Sequence, residues 1–82
     1  MNTEKLTAIA SKILNISIDT ASKNNKHMPE IDALYIWNPI RGGAAIIIGS
    51  DETFLYATSS VSPEEHVQVF AAGERTSPDI FK

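Results

Sequence analysis

Ala33-Leu34-Tyr35-Ile36-Trp37, then Asn38-Pro39-Ile40-Arg41-Gly42-Gly43, then Ala44-Ala45-Ile46-Ile47-Ile48-Gly49 is the stretch on which the fold turns. Its first five residues include Tyr, Ile and Trp, types that suit a pleated, half-buried surface. The proline and paired glycines that follow belong to a chain reversal, because proline presets a turn dihedral and glycine tolerates positive φ. The last segment is apolar without alternation, as a strand is when both of its faces are covered. Two antiparallel strands joined by a long hairpin turn are expected, with Ala44 to Gly49 central in the sheet. Alternation sends Ala33, Tyr35 and Trp37 to one side and Leu34 and Ile36 to the other, while Ile46 and Ile48 oppose Ala45 and Ile47. Both sides carry large apolar groups, so both need cover.

Toward the C-terminus, Ser50-Asp51-Glu52-Thr53 reads as a short polar turn and Phe54 to Thr58 as a third strand. Ser62-Pro63-Glu64-Glu65 then spells a helix start. Ser62 is the N-cap, Pro63 occupies the first helical position, and Glu65 stands where a capping box needs it. This helix, 62–72, is expected to bury Val67, Phe70 and Ala71 and to stop at Gly73; the tail 74–82 should be extended. Toward the N-terminus, Leu6, Ile9, Ala10, Ile13, Leu14 and Ser17 recur at helical spacing opposite Glu4, Ser11, Asn15 and Asp19, which predicts one helix over 1–22. Lys23 to Pro29 is expected to be a polar connecting loop. The sum is a single α+β domain, 1–82: a three-stranded antiparallel β-meander over 33–58 with two helices on one face, in the order α-β-β-β-α.

That order resembles the order of elements in double-stranded RNA-binding domains. The resemblance implies a cluster of lysines at the start of the last helix to grip phosphates, and here Pro63-Glu64-Glu65 puts charge of the opposite sign in that place. Seven basic residues against ten acidic ones, a net charge of −3, also repel a phosphate backbone, so no nucleic acid is expected. With 43% apolar and 21% charged residues the chain is too hydrophobic for disorder, yet Ala44 to Ile48, its longest apolar run, is far too short to cross a bilayer. No cysteine is present, which removes disulfides and thiolate chemistry. Met1 to Lys5 shows no start of a secretory signal, and a cytoplasmic location is the default expectation.

Chemistry-bearing residues are few. His27 and His66, set beside Glu30, Asp32 or Glu65, match no metal-ligand spacing, and no metal or other cofactor is expected. Ser59, Ser60 and Ser62 lie near His66 but lack the sharp turn and oxyanion donors of a serine nucleophile; they read as a strand end running into a helix cap, and no catalytic residue is assigned. Tyr35, Trp37, Ile40 and Arg41 are the candidate partner-binding residues, since aromatics and arginine dominate interface energetics and here flank a loop tip. Two helices on one face leave the other face apolar and bare. The expectation is therefore a small protein-binding module, for example an acidic inhibitor or immunity-type protein, or else a self-associating homodimer. A small-molecule or metal-binding accessory domain is the alternative from a different class.

Overall fold

Helix α1, Thr3–Leu14, begins a computed structural model that describes residues 3–40, 43–58 and 60–76. It ends where Asn15 turns into the left-handed region at φ 56°. There the Asn15 N–H donates to the Lys12 carbonyl at 3.3 Å and the Ile16 N–H to the Ser11 carbonyl at 3.0 Å, the paired bonds of a Schellman stop. Ser17 at once caps a second helix, α2, Ile18–Lys23, its hydroxyl accepting from the Thr20 N–H at 3.1 Å. The single N-terminal helix expected over 1–22 is thus two helices, and Ile16, tucked against the core between them, fixes the bend. The amide of Asn25 donates to the Ala21 and Ser22 carbonyls and closes α2.

Lys23 to Pro29 is not a loop. Asn25–Met28 forms strand β1, and a 3-10 turn at Pro29–Ile31 leads into β2, Ala33–Trp37. Strands β3, Ala45–Gly49, and β4, Phe54–Ala57, complete an antiparallel meander in the order β1-β2-β3-β4, so the described sheet has four strands rather than three. The register runs Leu34↔Ile48↔Phe54 and Ile36↔Ile46↔Tyr56 on one face. On the other it runs Tyr35↔Ile47↔Leu55 and Trp37↔Ala45↔Ala57. Helix α3, Pro63–Ala71, follows β4, with Gly73 at φ 99° just past its end.

The helices do not share a face. Leu6, Ala10 and Leu14 of α1 and Ala21 of α2 pack on Leu34, Ile36, Ile46, Ile48 and Phe54, whereas Phe70 of α3 packs on Ala33 and Ile47 from the other side. This corrects the arrangement expected from the sequence, and its cause is in β3. A strand apolar on both sides needs cover on both. With two N-terminal helices, four strands and α3, the order of elements no longer parallels that of double-stranded RNA-binding domains. No described helix is long and apolar enough to cross a membrane.

The C-terminal segment closes the far end of α3's face. Arg75 lays its guanidinium 3.6 Å from the Phe70 ring centre, and donates from Nε to Thr53 Oγ1 at 2.9 Å and from Nη1 to the Phe70 carbonyl at 2.8 Å. Thr76 then lies along β4, its N–H donating to the Phe54 carbonyl and its hydroxyl accepting from the Tyr56 N–H, both at 2.8 Å. The extended tail expected over 74–82 is described only to Thr76.

Candidate partner-binding groove

Alternation along β2 aims Tyr35 and Trp37 at the face that α3 shares, but α3 runs back along β4 and touches β2 through His66 against Tyr35 and Phe70 against Ala33, leaving Trp37 uncovered. What remains uncovered is a groove of about 460 Å³. Tyr35 and Trp37 lie in it with Met28 and Ala45, Lys26 of β1 stands at one bank, and Val61 and Pro63 stand at the other. The two rings sit 5.9 Å apart and are tilted by 43°, so neither stacks flat on the other. Burial pushes the Tyr35 phenol above its ordinary range, and it stays neutral at physiological pH.

The end wall is the β2–β3 connection. The Asn38 N–H donates to the Ala44 carbonyl at 2.9 Å, and the Gly43 N–H to the Ile40 carbonyl at 2.9 Å. Gly43 is required by close approach: a Cβ there would meet the Asn38 carbonyl oxygen well inside contact distance and the Ile40 carbonyl at 2.9 Å. Ile40 itself stands out from the wall, 66% exposed. Of the four residues the sequence nominates, Tyr35 and Trp37 line the groove and Ile40 projects at its end. Arg41 lies outside the described residues.

Sequence reasoning missed His66. It is 1% exposed, wedged between α3 and the sheet, with its ring edge-on to Tyr35 at 5.5 Å. Its Nε2 lies 2.7 Å from the Leu55 carbonyl. A carbonyl only accepts, so Nε2 carries a proton. Burial pushes the imidazole below its ordinary pKa, the bond to Leu55 opposing in part. The signal was available: His66 is spaced with Val67 and Phe70 on the inward face of α3. It packs beside Tyr35 on the sheet face that α3 covers.

The serine cluster is engaged elsewhere. Ser62 Oγ accepts from the Glu65 N–H at 3.2 Å, and Thr58 and Ser60 share a hydrogen bond of 2.7 Å; Ser59 lies outside the described residues. His27 sits exposed on the edge strand, far from His66 in the strand order, and among the described residues no three His, Asp or Glu side chains could share a metal ion. A cavity of about 580 Å³ on the opposite face, between α1, α2 and β1, is bordered chiefly by polar side chains such as Glu4, Thr7, Ser22 and His27. It has no aromatic lining. Compared with known proteins, the chain matches no family model, no curated protein and no solved structure, so the reading of the groove rests on its geometry.

Proposed function

We propose that this chain is a small protein-binding module whose contact surface is the groove between β1 and α3. One observation carries the reading: the half of the sheet face that α3 leaves open is apolar, floored by Tyr35 and the chain's single Trp, and continuous with the exposed Ile40. Aromatic side chains in a recess ringed by weaker contacts are the usual energetic centre of a protein interface. An acidic inhibitor that masks a basic partner is one form such a module takes, the net charge of −3 then serving to steer the encounter.

The test is a photo-reactive side chain placed at Thr58, which lines the groove, with Lys12 on the exposed flank of α1 as control. Irradiation in the native host should join the Thr58 probe, and not the Lys12 probe, to a protein, and Trp37→Ala should abolish the adduct. Absence of any Thr58 adduct sinks the reading. A second reading, a small-molecule site, draws support from the volume, since ligand pockets span about 300–1,000 Å³. A ligand that raises the melting temperature of the native chain but not of Trp37→Ala would favour it.

A further inference from the structure

One bank of the groove carries a lysine, and the residue next to the other bank is a glutamate. Lys26 stands on the β1 side, and Pro63, at the start of α3, marks the other. Glu64 follows Pro63 and precedes Ala71 by seven residues, two turns of helix, so both lie on one flank of α3. That flank faces the turn after β1, because Ala71 borders a small cavity with Glu30 and Ile31. Glu65 belongs to the opposite flank, bordering a cavity with Leu55 and Tyr56 of the edge strand β4. Lys26 and Glu64 are both exposed, and the ion pairs among the described residues are Lys5 with Glu52 and Lys23 with Asp19. Among the described residues neither charge has an ion-pair partner.

A partner that brings an anion over Lys26 and a cation over Glu64 complements this surface best. Resting on the protein-binding reading above, we propose that the partner is a second copy of this chain, docked face to face about a two-fold axis that lies in the interface and runs along the groove. Such an axis exchanges the banks, so Lys26 of each copy meets Glu64 of the other, and residues near the midline meet their own counterparts. Ile40 lies on the connection between the two middle strands, at the end of the groove, and its exposed side chain gains apolar cover there. The Tyr35 and Trp37 rings form the buried centre, and the two pairs of charges set register at the rim. A uniformly basic partner matches this surface less well, because Lys26 would then face like charge.

Sedimentation equilibrium on the purified chain, at low ionic strength and at several concentrations, is the test. The native chain should dimerise. K26E and E64K should each weaken association by about tenfold or more, since each change turns two attractive contacts repulsive. The double variant K26E/E64K restores opposite charges and should return to within about threefold of the native value. E65K removes the same helix-end charge on the far flank and should associate as the native chain does. A native chain that stays monomeric at every concentration, or a dimer indifferent to K26E and E64K, or a double variant no better than the singles, overturns the proposal. A monomer that still forms an adduct with a foreign protein at Thr58 ends the dimer and leaves the protein-binding reading standing; a monomer with no adduct ends both.

Discussion

The two faces of the sheet carry similar side chains and meet different fates. On the first, Leu34, Ile36, Ile46, Ile48 and Phe54 are sealed under α1 and α2. On the second, Ala33 and Ile47 are buried with Phe70, but Tyr35, Leu55 and Val67 are only half-buried and Trp37 opens onto the groove. Simple dimensions explain the difference. A helix is about 10 Å across and strands lie about 4.8 Å apart, so one helix shields about two strands and two helices shield four. The second face has one nine-residue helix lying over β3 and β4, and the bare half is the half over β1 and β2 at the Trp37 end. Arg75 does part of the missing work at the other end by placing its guanidinium over Phe70. The open apolar groove here is the consequence of a helix count, with no special motif needed to make it.

The sharpest way to break that comparison is to truncate one side chain on each face. Ile46→Ala should cost about 2–5 kcal/mol, the usual result of opening a cavity among residues that cannot collapse into it. Trp37→Ala removes a larger side chain yet should cost about 1–2 kcal/mol, because part of that surface already meets water. Urea denaturation of the two variants measures both, and equal losses would mean that the second face is as tightly sealed as the first.

His66 offers the next largest effect. Its folded pKa is depressed by burial, so above its ordinary value of 6.5 the ring is neutral both folded and unfolded, and stability does not depend on it. As pH falls through 6.5, the unfolded chain takes up a proton that the folded chain refuses. Stability then declines, by at most about 1.4 kcal/mol per pH unit for one proton, until the folded pKa is reached and the loss levels off. Denaturation midpoints between pH 8 and pH 5 should show this fall, and the imidazole of His66 should titrate later than 6.5 on acidification when followed by NMR. A ring that titrates at or above 6.5 would place His66 in contact with water and the floor of the groove with it.

Ser62→Ala should cost about 1 kcal/mol by exposing the Glu65 N–H, and Ser60→Ala should be nearly silent. If the two match, α3 is not held at the end that borders the groove. The smallest effect concerns Arg75, whose removal in Arg75→Ala should cost about 0.5–1 kcal/mol, the range for a cation over an aromatic face at an exposed site. Arg75→Lys should recover little of it, since an ammonium cannot sit over Phe70 while reaching Thr53 and the Phe70 carbonyl together.

Local chemistry was enough to determine the strands Ala33–Trp37 and Ala45–Gly49, the hairpin between them, and a last helix that starts after Ser62 and ends before Gly73. Each rests on interactions within a few residues: alternation, turn residues, a cap oxygen. The bend at Asn15-Ile16-Ser17 was equally local, an αL residue followed by an N-cap, but the apolar stripe running through it hides it. Tyr35 and Trp37 were legible as candidates because their types mark interfaces, and the burial of His66 was legible only through its spacing with Phe70 on α3. Strand β1 could not be read at all: Asn25-Lys26-His27-Met28 has no β-former run, and it is a strand because β2 offers it a row of backbone partners. Which face each helix covers was likewise decided only in three dimensions. A strand apolar on both sides states that two covers are needed, and the connections around it decide where each one lands and how much of the sheet is left bare.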